Sequence, residues 1–378
     1  MYQKIDDYVL QLVRESTPER TVWNMEKIRE GKQASWNYID GCMLTALMEM
    51  ARITEEEHYS DFVRECIDHF VTEEGEIRTF KPDDCNLDDI NEGRVLFELY
   101  ERTGLEKYRK AAAFLREQLE KHPRTAEGNF WHKAIYPNQV WLDGIYMAQP
   151  FYALYEKHFG SGDYADTVGQ IKNVRARMFS EEKGLYYHGY DASRSAFWAD
   201  PVTGCSKNFW LRSLGWFAVA LADLLDILPD GEQRNSLAVI FTELIHSIDR
   251  YADPDTGLFW QVPDQGGREG NYLETSGSAM VAYATLKGAR LGYLDKGYAA
   301  KGRKTFNGIM EKYLTFTENG ELDLGGICLV AGLGPETNRR RDGSYEYYIS
   351  EPVVKNDAKG VAPFVLAYTE IKRLKVQS

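Results

Sequence analysis

The chain has 378 residues, 43% of them hydrophobic, and a formal net charge of −13. That length is enough to bury a sizeable core, and the acidic balance without a basic tract excludes ordinary binding to nucleic-acid phosphates. No apolar run reaches the roughly 18 residues of a membrane-crossing helix.

The first 16 residues, MYQKIDDYVLQLVRES, are acidic and amphipathic. They lack the basic start and apolar middle of a secretory signal, so a cytoplasmic protein is expected. Residues 4–16 are predicted as a helix with no partner before it. Three units then repeat one pattern. In 34–72, Asp40 is followed by Met43, Leu44 and Leu47, then Thr54 and Tyr59. In 86–120, Asp88 and Asp89 precede Val95, Leu96 and Leu99, then Thr103 and Tyr108. In 140–180, Asp143 precedes Met147, Phe151 and Leu154, then His158 and Tyr164. Each unit reads as two helices joined by a short turn. Weaker copies cover 206–251 and 274–315, and a last helix, 357–374, has no partner after it. If the two orphan end helices pair, they close a ring of six hairpins. The predicted fold is all-α, a single (α/α)6 barrel over residues 1–378. An open solenoid is the alternative, and it would not need its ends to meet.

A second repeat lies between the hairpins. Gly128-Asn129-Phe130-Trp131-His132, Gly184-Leu185-Tyr186-Tyr187-His188 and Gly257-Leu258-Phe259-Trp260-Gln261 share a pattern, and Gly75-Glu76-Ile77-Arg78-Thr79 is a weaker copy. Alternating pentads after glycine read as short extended segments. They fall on the rim that also carries the starts of the next first helices, where Asp40, Asp88 or Asp89, and Asp143 sit. Aromatic residues make up 13% of the chain, and Tyr (24) and Trp (8) together outnumber Phe (17). That excess suits either a Tyr-rich helical core or a half-wet cleft.

The cysteines, Cys42, Cys66, Cys85, Cys205 and Cys328, are odd in number and widely spaced. They suggest neither a disulfide framework nor a zinc site and read as small buried hydrophobes. There is no HExxH, no P-loop lysine and no GxGxxG, and 292–303 lacks the Walker A order. Neither a metal nor a cofactor is expected.

Asp143 has two readings. It caps a helix, or it is a general acid, kept neutral because Trp141, Tyr146 and Met147 strip its hydration. Of Asp88 and Asp89, one caps a helix and the other faces the cleft. His132, Lys133, His188 and Arg212 bring cationic and hydrogen-bonding groups to the same rim. Their convergence in an acidic chain suits a small anionic ligand such as a uronate, stacked on tryptophan. Arg339, Arg340 and Arg341 lie in the stretch AGLGPETNRRRDGSYEYYIS. They read as a solvated loop or as a rim loop that meets the substrate.

The segments EGNFWHKAIYPNQVWLDGIYMAQPF, GLYYHGYD, FWADPVTGCSKNFWLRSLGWF and YLETSGSAM resemble the unsaturated rhamnogalacturonyl hydrolases of glycoside hydrolase family 105, from about Trp36 to the last helix. The resemblance implies an (α/α)6 barrel that hydrates the C4=C5 bond of a 4,5-unsaturated galacturonate left by pectin lyases. It assigns the acid to Asp143. Substrate-binding roles fall to Asp88, His132, Lys133, Met147, His188, Arg212 and Trp216, with Asp40, Trp141 and Trp131 as further candidates. The implied partner is unsaturated galacturonyl-rhamnose or a related oligosaccharide, with no nucleic acid and no membrane. Three alternatives stand beside it: an unsaturated glucuronyl hydrolase, an epimerase on the same barrel, and a sugar-binding protein without catalysis.

Overall fold

A computed structural model describes residues 2–376. Its helices, in chain order, are α1 (Gln3–Glu15), α2 (Met25–Glu30), α3 (Tyr38–Thr54), α4 (Glu57–Phe70), α5 (Val95–Thr103) and α6 (Glu106–Lys121). There follow α7 (Leu142–His158), α8 (Ala165–Met178), α9 (Leu211–Ile227), α10 (Glu232–Ile248), α11 (Thr275–Arg290), α12 (Gly297–Tyr313), α13 (Tyr345–Ser350) and α14 (Ala358–Val376).

The inner helices form a closed ring. α3 packs on the segment leading into α5, that segment on α7, α7 on α9, α9 on α11, α11 on α14, and α14 back on α3. Outer helices α4, α6, α8, α10 and α12 each pack on the inner helix before them. α1 joins α14 from the far end of the chain: the Tyr368 hydroxyl donates to Asp6 at 2.9 Å, and Lys372 pairs with Asp6 at 3.1 Å. The two orphan helices do meet, so the fold is the (α/α)6 barrel and not the open solenoid.

Composition follows position. α9 is buried without a break from Leu211 to Leu225, as a helix enclosed on all sides must be. Outer helix α4 instead buries one stripe, Tyr59, Phe62, Val63, Cys66, Ile67 and Phe70. Four of the cysteines are buried, all five are free, and Cys85 is half-exposed.

The second hairpin departs from a plain helix pair. Its inner stave begins as a tight 3-10 helix, Asp88–Arg94, before widening into α5. Among the described residues, five glycine pentads form tight turns. Gly75, Gly128, Gly184, Gly257 and Gly320 all take positive φ, between 67° and 100°, a region that glycine enters freely. The fifth, at 320–324, was not among the predicted copies; its strand Leu322–Leu324 carries leucine where the three stronger copies carry aromatics. It pairs with Leu314–Phe316, as Leu185–Tyr186 pairs with Phe179–Ser180. Phe259–Trp260 pairs forward instead, with Leu273–Glu274 at the entrance to α11.

At the opposite mouth, charged side chains close the ring. Asp223 on α9 is 4% exposed. It accepts from Arg94 at 2.6 Å, Lys287 at 2.9 Å and the Tyr283 hydroxyl at 2.7 Å. Burial acts against its charge, but Lys287 and Arg94 outweigh that and hold its carboxyl down at about 2.

Candidate active site

On the pentad rim a cleft of about 170 Å³ opens into the ring. Its lining includes Asp88, His132, Lys133, Trp141, Asp143, Met147, Arg212 and Trp216. Eight sequence-predicted residues therefore converge from four different parts of the chain.

Asp143 is the second residue of α7. The helix starts after Trp141, and no side chain caps it. The carboxylate is therefore not committed to capping. It faces the cleft with 13% of its side chain exposed. His188 Nε2 lies 3.2 Å from Asp143 Oδ2, without the alignment of a full hydrogen bond. The other ring nitrogen of His188 shares a 2.8 Å hydrogen bond with the Tyr348 hydroxyl. His188 is wholly buried and stands behind Asp143, outside the cleft lining. Its reach to a ligand runs through that carboxylate.

His132 is stacked on Trp141, ring centroids 4.3 Å apart. Gly144 on α7 makes room for it: a β-carbon there would lie 3.0 Å from His132 Nδ1. Burial is the main cause that pushes the imidazole down to about 4, although Asp88 pulls the other way. His132 is thus neutral at working pH and able both to donate and to accept.

Lys133 Nζ lies 2.6 Å from Asp88 Oδ2. Burial opposes the Asp88 charge, but Lys133, by its charge and its hydrogen bond, overcomes it and holds the carboxyl below its ordinary value. Neighbouring Asp89 goes the other way, pushed up to about 7 by burial and by the Asp88 charge. Its Oδ2 accepts from Asn86 at 2.9 Å.

Arg212 enters from the first turn of α9 and is 1% exposed. Its Nε donates to Ser276 at 2.8 Å, a second nitrogen donates to the Cys328 carbonyl, and Glu274 lies 3.8 Å away. Trp216, one helical turn on, stacks on Tyr146 at 4.4 Å.

Three predicted positions lie elsewhere. Asp40 turns away from the cleft: it accepts from Thr21, Trp23, Asn24 and Asn37. Asn37 caps α3, so Asp40 completes the start of that helix. Trp131 and His188 are not among the cleft-lining residues. Conversely, the cleft gains Glu26 from α2, Tyr38 from α3 and the segment Val330–Gly332, and of the arginine stretch read as a solvated or a rim loop, Arg341 lines it. No spacing in the sequence ties Glu26 or Tyr38 to this rim. Tyr348 is equally hidden, being 160 positions from the histidine it holds.

Replacing Lys133 by Met tests the buried pair. The variant leaves Asp88 charged and uncompensated, and should lose about 3 kcal/mol of stability near neutral pH. In the parent, the depressed Asp88 carboxyl contributes stability above its unfolded value of 3.8, lost as pH falls through the folded value. In Lys133→Met the sign reverses. Protonation relieves the unpaired charge, so the penalty should shrink on acidification, as thermal melts across pH will show.

Helix pairs closed into a ring, with one aromatic-walled polar cleft on the loop-rich rim, define an (α/α)6-barrel protein built to hold a saccharide. The Glycosyl Hydrolase Family 88 profile matches residues 13–375. The solved glycoside hydrolase from family 105 of C. acetobutylicum ATCC 824 is 38% identical, with 98% of this chain and 99% of that one covered and a TM-score of 0.90. Protein Atu3128 of Agrobacterium fabrum (strain C58 / ATCC 33970) is 41% identical over 229 residues, which is 59% of this chain and 97% of that protein. An unsaturated 3S-rhamnoglycuronyl hydrolase of Formosa agariphila is 28% identical over 165 residues, 41% of this chain and 42% of that one. The chain belongs to Glycosyl Hydrolase Family 88, in the group that takes in family 105, and is a glycoside hydrolase.

Proposed function

We propose that the protein removes a 4,5-unsaturated galacturonate from the non-reducing end of rhamnogalacturonan oligosaccharides. It does so by hydrating the C4=C5 double bond, with Asp143 as general acid and then base. One observation carries this reading. Three acids line the cleft, and two are held by lysines: Asp88 by Lys133 at 2.6 Å and Glu26 by Lys359 at 2.6 Å. Asp143 alone among the described lining acids has no lysine or arginine partner, so its carboxyl is the one not tied up by a permanent cation.

An enol ether asks for little more than one such acid. Asp143 gives its proton to C4, and the ring oxygen shares the positive charge that develops at C5. Water adds at C5 and returns a proton to the Asp143 carboxylate. The resulting hemiketal opens to a C5 ketone and leaves a hemiacetal at C1, which expels the aglycone. The first step displaces no leaving group, so the second carboxylate of a retaining glycosidase is not required. Asp88, fixed by Lys133, is suited to a sugar hydroxyl, and Trp141 and Trp216 to the sugar faces. The name of the Formosa agariphila relative supports an unsaturated, rhamnose-linked uronide as the substrate class. The reading makes residues 1–378 one catalytic domain working in the cytoplasm.

The test is the ultraviolet absorbance of the conjugated double bond. Unsaturated galacturonyl-rhamnose should lose it on incubation, faster than the glucuronyl analogues do. Preference for a glucuronyl disaccharide would move the assignment to glycosaminoglycan-type substrates. Unchanged absorbance across the panel would sink hydration altogether.

A further inference from the structure

The three arginines of the loop before α13 have different fates. Arg339 pairs with Glu336 at 2.5 Å, and Arg340 pairs with Glu351 at 2.8 Å and donates to Ser350 at 3.2 Å. Arg341 lines the cleft. Among the described residues its guanidinium has no acidic partner and no hydrogen bond.

The loop is shaped to present this side chain. The Gly334 N–H donates to the Arg341 carbonyl at 2.8 Å, and the Arg341 N–H to the Asn338 carbonyl at 3.2 Å. A β-carbon at Gly334 would meet the Asn338 oxygen at 2.1 Å, so only glycine closes this turn. A β-carbon at Gly332 would lie 3.3 Å from Arg341 Nη1 and 3.4 Å from the Trp141 ring. Gly332 therefore leaves room for Arg341 and for Trp141, which line the same cleft as Asp143. The Gly332 N–H donates to the Tyr347 hydroxyl at 2.9 Å, which pins this stretch to α13.

The other two permanent cations lining the cleft are already matched. Lys133 faces Asp88, and Arg212 is tied to Ser276, to backbone carbonyls and to Glu274. A guanidinium held half-buried and unmatched in an acidic protein calls for an anion from the ligand, and its planar fork fits a carboxylate.

We propose that Arg341 determines specificity by binding a carboxylate of the saccharide. The proposal rests on the uronide reading above. A disaccharide with a neutral second sugar carries its carboxylate on the unsaturated ring, whereas an oligosaccharide with an acidic second sugar offers one on the aglycone as well.

The test is Arg341→Gln, with Arg341→Lys beside it. Arg341→Gln should raise KM about 10- to 100-fold, the range expected for losing a charge-assisted bidentate contact, with little change in kcat. Arg341→Lys should recover part of that loss. Methyl-esterifying the substrate should cost the parent enzyme a similar factor and cost Arg341→Gln almost nothing further. A KM penalty on the neutral-aglycone disaccharide places the contact on the unsaturated ring, and a penalty seen only with an acidic aglycone places it there. A KM unchanged on both substrates, or an equal ester penalty in parent and variant, overturns the proposal. Calorimetric binding of a saturated galacturonyl disaccharide separates the two readings, since it needs no turnover. A parent enzyme that binds it but hydrates nothing fails the activity assignment alone. With digalacturonate as that probe, which carries a carboxylate on both rings, an Arg341→Gln variant that binds it as tightly as the parent fails this one.

Discussion

Replacing Asp143 by Asn should lower kcat on the unsaturated disaccharide at least about 1,000-fold, within the range that a positioned general acid contributes. KM should change little and the melting temperature hardly at all. Asn keeps the shape of the side chain. The native carboxylate makes no cap, and its one ion-pair neighbour among the described residues is His188 at 3.2 Å. The loss should therefore be confined to the chemical step, and it can be read by initial rates and by a thermal melt on the same preparation. A variant retaining a tenth or more of the parent activity would remove Asp143 from the acid's role. A variant that is inactive but also unfolded would instead show that the carboxylate holds the rim together.

The largest effect on stability is expected at the opposite mouth of the barrel. Asp223→Ala removes the one carboxylate that Arg94 and Lys287 share, and Tyr283 with them. Breaking a buried pair costs about 3–5 kcal/mol, because the surviving charge stays behind without a partner. Here two cations are stranded, although Lys287 keeps Asp226 at 3.0 Å. The variant should melt well below the parent and unfold at lower denaturant. The Asp223 carboxyl is depressed from 3.8 to about 2. Its contribution is thus fully present above the unfolded value and is lost as pH falls through the folded one. The gap between parent and Asp223→Ala should narrow only in that acid window. A constant gap from neutral to strongly acidic pH would mean that the carboxylate acts through packing and not through charge.

Much of the fold was legible because the hairpins repeat their landmarks. Tyr59, Tyr108 and Tyr164 recur at nearly fixed distances from Asp40, Asp89 and Asp143, and each tyrosine is buried. A hydrophobic stripe and a turn are local properties, and sequence spacing carries them. The pentads were most legible where they kept an aromatic, only weakly so at Gly75, and not at Gly320, where leucine took its place. The cleft was read as far as the pentads and helix starts could carry it. Asp88, His132, Lys133, Asp143 and Arg212 all stand next to such a landmark. Asp40 stands next to one too, yet its carboxylate is turned toward Thr21 and Trp23, because nothing in the spacing distinguishes a helix start whose acid faces the cleft from one whose acid faces the preceding loop. Tyr348 and Glu26 belong to no repeat. They reach the rim only through the closure of the ring, which a linear pattern does not encode.

That closure has a bearing on how the protein is made. The Tyr368 hydroxyl reaches back 362 positions to Asp6, and α14 is the wedge between α11 and α3. During synthesis the first five inner staves emerge with this slot empty, exposing apolar flanks of α3 and α11 that are buried in the finished protein. The nascent chain therefore carries an unfilled seam until α14 leaves the ribosome. Throughout that interval it is a natural client for chaperones, and a frameshift or stop just before Ala358 should yield an aggregating product and not a weakened enzyme.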